Sequence, residues 1–357
     1  MTDTSFNEAK SKAFADHMLD VVNNAAVALM LSIGHQVGLF DTMANRLPAT
    51  SQQIADAAGL NERYVREWLG AMVTGRVVEY APTDETYVLP PEHAAWLTRA
   101  AGMNNWTLQM LFIPLLAQVE QPIIECFRKG GGVPYSAYPR FQRLMAENSA
   151  AFHNAALIPT ILPLVPGLPE RLQAGIDVAD IGCGSGHAIN LMAQAFPKSR
   201  FTGYDFSEEG ILVGRREAQG MGLANANFEA RDVTRLNLHD QFDVMTAFDS
   251  IHDQAQPAQV LQGIVDALRP GGIFLMVDIG ASSHVHENLG FELGPLMYTT
   301  SCLHCMTVSL ALEGVGLGAM WGEQKAGQML AEAGFAHVES KRVEGDTVTI
   351  YFICRKR

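Results

Sequence analysis

An apolar run that ends in a glycine-rich turn constrains this chain more than any other segment. The run Val178–Ile181 leads into Gly182, Gly184 and Gly186, and a helical pattern follows the turn. Glycine adopts backbone conformations that other residues avoid, and it lets a ligand approach the backbone closely. The order of strand, turn and helix predicts a ligand-binding unit. A plain strand-to-helix turn is the alternative, because three glycines alone are weak evidence.

The rest of the C-terminal half alternates strands with helices. Strands are predicted near residues 177–181, 200–204, 226–230, 243–247, 273–279, 337–343 and 347–354. This alternation predicts an α/β fold with a doubly wound, mostly parallel seven-stranded sheet. Only Glu344–Asp346 link the last two strands, and so short a link permits only an antiparallel pair. Residues 280–322 are expected to form an insertion over the ligand-binding edge of the sheet.

The first hundred residues follow a different, mainly helical pattern. Helices are predicted near 7–33 and 38–46, and Thr50 and Asn61 are suitable N-caps for two more. Two short β-like runs follow. Helices followed by a hairpin are typical of a winged helix-turn-helix. We therefore predict three parts: a winged-helix dimerisation domain over 1–100, a helical connector and pocket lid over 101–170, and the α/β domain over 171–357.

The charge of the chain argues against a nucleic-acid partner. The formal net charge is -13, and residues 1–100 hold 7 Lys and Arg against 12 Asp and Glu. A DNA-binding winged helix carries a basic face, so a DNA-binding regulator is disfavoured. The start of the chain has no signal-peptide pattern, and no run of about 18 apolar residues is evident. Five irregularly spaced cysteines fit free thiols. We expect a cytoplasmic protein without a membrane span.

Further candidate residues follow the predicted strands. Asp205 ends the second strand, 23 residues after Gly182, where an acid can accept both hydroxyls of a ribose. Phe206 is placed to lie against an adenine, and helix capping is the alternative role for Asp205. Three further motifs follow along the chain: the pair Asp232–Val233 at the end of the third predicted strand, the apolar strand Phe242–Phe248, and the turn Leu268–Gly272.

Taken together, these motifs resemble the class I methyltransferases that depend on S-adenosylmethionine (SAM), in family order and spacing. The resemblance implies the following cofactor-binding residues: Gly182, Gly184 and Gly186 along the methionine and ribose, Asp205 on the ribose, Phe206, Asp232 and Val233 at the adenine, and Asp180 and Phe248 near the methionine ammonium. A nicotinamide oxidoreductase is the alternative. Its glycine spacing is one residue longer at the end, so SAM is favoured, with S-adenosylhomocysteine as product.

With its N-terminal half included, the chain is similar to the winged-helix O-methyltransferases of plants and their bacterial relatives. The resemblance implies a homodimer and a general base, His252, within a His-Asp-Trp segment. His252 and Asp253 match that segment, but Gln254 replaces the Trp. A neutral histidine can take the proton of a hydroxyl acceptor. A purely structural hydrogen bond is the alternative role for His252.

The expected function is methyl transfer from SAM to the oxygen of a small molecule, with His252 and Asp253 as the catalytic residues. S-methylation of a thiol or thioether, which needs no obligatory base, is the runner-up, and N-methylation comes third. A SAM- or DNA-binding regulatory protein is the non-enzymatic alternative.

Several other side chains have less specific patterns. Cys302–Cys305 looks like half of a metal site, but zinc needs three or four ligands, so we predict no metal. His304 is expected within reach of the substrate, with His284 and His286 as further candidates. An aromatic set either caps the pocket or fills a helical core; it comprises Trp106, Phe112, Tyr135, Tyr138, Phe152 and His153.

Overall fold

The computed structural model describes residues 6–357, which fold into two compact units that divide between Pro114 and Leu115. The N-terminal unit contains a two-stranded antiparallel sheet. Its elements are α1 (Glu8–Gln36), α2 (Leu39–Met43), α3 (Ser51–Ala58), α4 (Glu62–Thr74), β1 (Glu79–Ala81), β2 (Thr86–Val88), α5 (Pro91–Leu97), a 3-10 turn (Arg99–Asn104) and α6 (Thr107–Met110). Helix α7 (Phe112–Ala117) contains the division. The predicted division into three parts stays a prediction.

Local signals explain why α3 and α4 form where the sequence predicts them. The Thr50 hydroxyl accepts from the N–H of Gln53, whose side chain accepts from the N–H of Thr50, so two unpaired donors are satisfied at the start of α3. Helix α4 buries one apolar face, and its Trp68 indole donates to the carbonyl of Met30 at 2.8 Å. Helices followed by the β1–β2 hairpin confirm the predicted winged-helix pattern.

Helix α1 is 29 residues long and leaves large apolar side chains exposed, among them Phe14 at 64% and Val22 at 63%. Its length and composition meet the requirements for crossing a membrane. Two further pairs of helices, each pair bent at a short break, meet these requirements only when the two helices of a pair are counted as one span. This finding corrects the expectation that no segment of the chain is long and apolar enough.

The C-terminal unit is built on the predicted seven-stranded sheet. Its helices are α8 (Glu120–Lys129), α9 (Phe141–Ala156), α10 (Leu168–Ala174), α11 (His187–Ala195), α12 (Glu208–Gly220), α13 (Pro257–Ala267), α14 (Gly294–Thr300), α15 (Met306–Ala311) and α16 (Gly322–Glu332). Its strands are β3 (Asp177–Ile181), β4 (Arg200–Asp205), β5 (Ala226–Ala230), β6 (Phe242–Phe248), β7 (Leu268–Ile279), β8 (His337–Lys341) and β9 (Thr349–Arg355).

The strand order is β5-β4-β3-β6-β7-β9-β8. All neighbours pair in parallel except β9, which is antiparallel to both β7 and β8, as predicted. Residues along the inner strands alternate between two apolar cores, one on each face; in β9, Ile350 and Phe352 join one core while Tyr351 and Ile353 join the other. Both faces of the sheet are therefore covered, as a parallel sheet requires.

The strand order reverses direction between β3 and β6, and ligands bind beyond the carboxyl ends of strands at such a point. The predicted insertion forms short helices, including a π-helix over Ser301–Cys305. It is tied to the chain that follows β6, because the Gly318 N–H donates to the His252 carbonyl at 3.2 Å and the Ser309 hydroxyl donates to the Gln254 carbonyl at 2.9 Å.

Candidate active site

The turn after β3 has the backbone conformation that its glycines allow. Gly182, Gly184 and Gly186 all have left-handed φ angles, of 70°, 54° and 72°. A Cβ on Gly182 would lie 2.5 Å from the Ser250 Cβ, and one on Gly186 would overlap the ring of Phe228. The turn therefore excludes side chains at two positions, which keeps the backbone close to the carboxyl end of the sheet.

Asp205 lies beside this turn, as predicted. One carboxylate oxygen accepts from the Gly184 N–H and the other from the Ser207 N–H, both at 2.8 Å. Burial raises the pKa of the Asp205 carboxyl, against the lowering effect of these N–H groups. The next side chain, Phe206, is 57% exposed, and its ring centroid lies 5.3 Å from that of Tyr135. A ribose contact for Asp205 remains a prediction.

Asp180 and Phe248 flank the same edge. The Thr246 hydroxyl donates to the buried Asp180 carboxyl at 2.6 Å, and burial raises the pKa of Asp180 to about 7. The Phe248 ring packs against His153, with 4.9 Å between centroids. The following residue, Asp249, has a left-handed φ of 49°, which is uncommon outside glycine and typical of functional loops.

Asp232 begins a 3-10 turn after β5 rather than standing free. Its carboxylate accepts from the N–H and the hydroxyl of Thr234, at 3.0 and 2.6 Å, and Val233 is buried. This capping role leaves one oxygen that these two contacts do not use. An adenine contact for Asp232 and Val233 therefore stays a prediction.

His252 is the centre of a buried polar cluster at the end of β6. Its Nδ1 lies 2.8 Å from Oδ1 of Asp278, and its Nε2 lies 3.3 Å from Oδ1 of Asp253. The Tyr135 hydroxyl donates to the other Asp253 oxygen at 3.1 Å. The ligand atoms of His252, Asp253 and Cys305 all lie within 4.8 Å of one another. Asp278, Tyr135 and Cys305, from three distant parts of the chain, thus converge on the His252–Asp253 pair.

Two carboxylates set the charge of that imidazole. Burial lowers the pKa of His252, but the adjacent Asp278 and Asp253 raise it, and the pKa ends well above 6.5. Asp278 and its role were missed at the level of sequence. The available signal was an acidic residue inside the otherwise apolar strand β7, where a buried charge needs a partner.

His304 lies in an aromatic cluster next to His252. Its ring stacks on Phe141 at 3.7 Å and 12°, and the rings of Tyr135 and Tyr138 meet it edge-on at 5.1 and 4.8 Å. The side chain is buried, and neither ring nitrogen has a hydrogen-bond partner. Burial lowers the pKa of His304 to about 4, so the ring is neutral at pH 7. It belongs to the π-helix, and such segments are frequent at functional sites.

The remaining candidates lie elsewhere. His284 and His286 are exposed and lie near each other, with 5.9 Å between ring centroids, rather than joining the cluster around His252. Cys302 is half-buried, whereas Cys305 is buried. Phe152 packs against the apolar core, so part of the aromatic set is structural.

Comparison with protein families finds two matching segments of the chain. Residues 25–99 match the Rv2258c-like winged HTH domain, and residues 172–334 match a methyltransferase domain. The malonyl-acyl-carrier-protein O-methyltransferase of Bacillus cereus is 26% identical over 165 residues, which are 46% of this chain and 55% of that protein. The chain therefore spans about half the length of the first curated relatives it matches.

Solved structures extend the likeness in fold to nearly the whole chain. The mitomycin 7-O-methyltransferase MmcR matches with a TM-score of 0.69 and 18% identity over 98% of this chain and all of that one. Human N-acetylserotonin methyltransferase, solved with SAM, matches with a TM-score of 0.69 and 15% identity, covering 100% of this chain and 99% of that one. The chain is thus similar to an Rv2258c-like winged HTH domain over residues 25–99 and to a methyltransferase domain over residues 172–334, and it has the fold of the solved methyltransferases.

Proposed function

We propose that this protein transfers the methyl group of SAM to an oxygen of a small-molecule acceptor, with His252 as the general base. The observation that carries the proposal is the position of His252. It follows β6, which pairs with β3, and β3 leads into the glycine turn. A base at this place faces the same carboxyl edge as the cofactor loops.

The residues around the glycine turn fit SAM. A Cβ at Gly184 would meet no other atom, so the turn is open to a ligand at that residue, and Asp205 presents a carboxylate held by two backbone donors. Asp180 offers a second carboxyl at the same edge. SAM supplies a methyl group already activated on a sulfonium, and its loss yields S-adenosylhomocysteine. The protein therefore has mainly to align the acceptor and remove its proton.

The contacts of His252 suit that task. The Asp278 carboxylate holds the proton on Nδ1, and together with Asp253 it keeps the pKa of His252 well above 6.5, so Nε2 is a strong proton acceptor once it has lost its own proton. Asp253 lies beside Nε2 and stabilises the imidazolium that forms when the acceptor proton is taken. Tyr135 in turn fixes Asp253 by donating its hydroxyl.

The test is turnover by His252→Ala, followed as S-adenosylhomocysteine release with a panel of phenols, catechols, thiols and thioethers. General-base catalysis contributes about 10²- to 10⁴-fold, so kcat with a hydroxyl acceptor is expected to fall by at least about 10²-fold. His286→Ala, which removes an exposed histidine outside the cluster, is the matched control. Near wild-type turnover in His252→Ala would refute the role of base.

S-methylation is the second candidate, and the aromatic cluster favours it. Tyr135, Tyr138 and Phe141 surround His304, and Tyr135 also contacts Phe206. Aromatic faces stabilise cations such as a sulfonium product. A thioether carries no proton, so its methylation would survive His252→Ala. Selective turnover of thioethers by that variant would favour this candidate over the oxygen acceptor.

We also propose that the protein is a cytoplasmic homodimer that uses α1 as its interface. The exposed apolar residues of α1 include Phe14, Leu19 and Val22, and an apolar helix face of this size needs a cover. Sedimentation of the purified protein tests this, because Leu19→Lys with Val22→Lys is expected to give monomers. Recovery of the wild-type protein in membranes instead would contradict both the location and the interface.

The same proposal excludes nucleic acid as a partner of the winged-helix domain. On α4, Arg66 pairs with Glu62 at 3.2 Å, and Arg63 pairs with Glu67. These intrahelical pairs neutralise the basic side chains that a phosphate backbone would need. Salt-dependent binding of duplex DNA at micromolar protein would contradict this part of the proposal.

A further inference from the structure

We propose that His304 selects the methyl acceptor through a hydrogen bond between its imidazole and an uncharged oxygen of the acceptor other than the one that is methylated. The inference deepens the proposed methyl transfer and rests on it for the presence of an acceptor beside His252. His304 takes no part in proton transfer in this scheme. It is a specificity-determining contact, and its two unpaired ring nitrogens are the starting observation.

The imidazole of His304 is polar but makes no hydrogen bond within residues 6–357. In that range it is the only side chain with two buried polar atoms that lack a partner. A neutral imidazole has one N–H donor and one acceptor nitrogen, and both are costly to bury unpaired. Native proteins keep few such groups, and each calls for a reason. Binding a polar group of a ligand is the reason that fits a residue next to the proposed base.

Aromatic contacts, rather than hydrogen bonds, hold the ring of His304 in place. Phe141 stacks on it at 3.7 Å, and Tyr135 and Tyr138 meet it edge-on. Tyr138 is fixed in turn, because its hydroxyl donates to the Leu303 carbonyl. The ring is therefore oriented while both nitrogens remain available for a ligand. Preorganisation of this kind lowers the cost of binding.

Tyr135 shows how close His304 lies to the proposed base and to the cofactor side of the site. Its hydroxyl donates to Asp253, the neighbour of His252, at 3.1 Å. Its ring centroid lies 5.1 Å from that of His304 and 5.3 Å from that of Phe206. One tyrosine side chain thus extends from the carboxylate beside the base to His304. An acceptor about the size of one aromatic ring can place one oxygen at the base and a second at His304.

The charge of His304 decides which second group it binds. Burial lowers its pKa to about 4, an effect that the Asp253 carboxylate opposes only in part. The ring is therefore neutral at pH 7 and offers a carboxylate no ionic partner, while Asp253 repels one. A hydroxyl or a carbonyl needs only the hydrogen bond. Acceptors with such a group are expected to bind more tightly than those with a carboxylate in its place.

The enclosure of His304 sets a condition for binding. The residue is 0% exposed, so an acceptor reaches it only when an aromatic neighbour moves aside. Tyr135 and Tyr138 are held by hydrogen bonds through their hydroxyls, whereas Phe141 has no polar side-chain atom. The ring of an acceptor can replace the stacked contact of Phe141 with one of the same kind. Phe141 is therefore the neighbour expected to move.

The test compares acceptors that differ only in the second oxygen. Catechol, resorcinol and hydroquinone are matched with 2-, 3- and 4-methylphenol, in which a methyl group replaces one hydroxyl. The wild-type protein is expected to favour the diphenol in at least one pair. His304→Phe keeps a ring against Phe141 and should reduce that preference in kcat/KM by about 5- to 150-fold. Differences in intrinsic reactivity cancel, because both proteins receive the same compounds.

The effect should lie in KM rather than kcat, because the hydrogen bond is present both before and during methyl transfer. His304→Gln restores a hydrogen-bonding side chain and should recover part of the preference. His286→Phe, the same change at an exposed histidine outside the cluster, is the matched control and should retain it fully. Calorimetric binding of the same compounds to the protein loaded with S-adenosylhomocysteine gives a readout that needs no turnover. Titration with SAM checks that each variant is folded.

Equal preferences in the wild type and His304→Phe for all three pairs would overturn the inference and leave the proposed function intact. A loss of kcat alone, with the preference unchanged, would show a structural role and overturn it as well. So would a wild-type protein that neither binds nor methylates any diphenol, or that binds hydroxybenzoates as tightly as the matching diphenols. A binding preference that His304→Phe loses, without methyl transfer to any compound, would uphold the role of His304 and contradict the proposed function.

Discussion

His153 makes the stability of this protein depend on pH in a way that one substitution can expose. The side chain is buried on α9, and its ring packs against Phe248 at 4.9 Å. Burial, and secondarily the nearby His187, lower its pKa from 6.5 to about 4. Between pH 6.5 and about pH 4, His153 therefore binds a proton in the unfolded chain but not in the folded protein.

Lowering the pH destabilises the folded protein through His153. The stabilisation is fully present above pH 6.5 and is lost as the pH falls toward 4, because protonation then favours the unfolded chain. Each pH unit in this window corresponds to about 1.4 kcal/mol. The complete window spans 2.5 units, so the loss amounts to about 3 kcal/mol. His153→Phe keeps a ring against Phe248 and cannot titrate.

Urea unfolding of both proteins measures the difference. Other groups titrate in the same range, so the quantity of interest is the gap in unfolding free energy between wild type and His153→Phe. That gap should shift in favour of the variant by about 2 kcal/mol between pH 6.5 and about pH 5. A gap that stays constant over this range would show that His153 titrates normally and would refute the reasoning.

Three further predictions concern the cofactor turn and the winged-helix domain. Asp205→Ala removes a carboxylate held by two backbone donors, and calorimetry should show SAM binding weakened by about 10- to 100-fold; unchanged affinity would contradict the ribose role. Gly186→Ala, which drives a Cβ into Phe228, should cost about 1–3 kcal/mol beyond Gly184→Ala, where the Cβ meets open space; equal melting temperatures would contradict the packing. Thr50→Ala should cost about 1 kcal/mol through loss of the α3 capping box, and an unchanged urea midpoint would show that the cap contributes nothing.

The strands were the most predictable part of the fold. β3 and β5 begin and end where the apolar runs do, because turn residues flank both runs. β7 is longer than predicted: Leu268–Gly272 looks like a turn, yet Leu268 pairs with Phe242 before a register shift. That pairing joins residues distant in sequence, and local pattern does not encode it. The apolar α1 was recognised as a helix, but its suitability as a membrane span was missed.

The candidate site was predictable only where its residues form a motif. His252 and Asp253 are adjacent, and Asp205 stands at a fixed distance from the glycine turn. Asp278 reaches His252 because β6 and β7 are neighbours in the sheet, and Tyr135 reaches Asp253 across 118 residues of chain. Such partners are brought together by tertiary packing, so a single sequence does not reveal them.

The position of β9 has a consequence for synthesis on the ribosome. This strand lies between β7 and β8, yet it follows both in the chain. From the moment Ile279 is made until Thr349–Arg355 follows, β7 presents an open, apolar edge and β8 has no strand to join. At about 5–20 residues per second, the roughly 70 residues between them take roughly 4 to 14 seconds. During that interval the nascent chain exposes a template for pairing with other chains, and a chaperone would protect it best then.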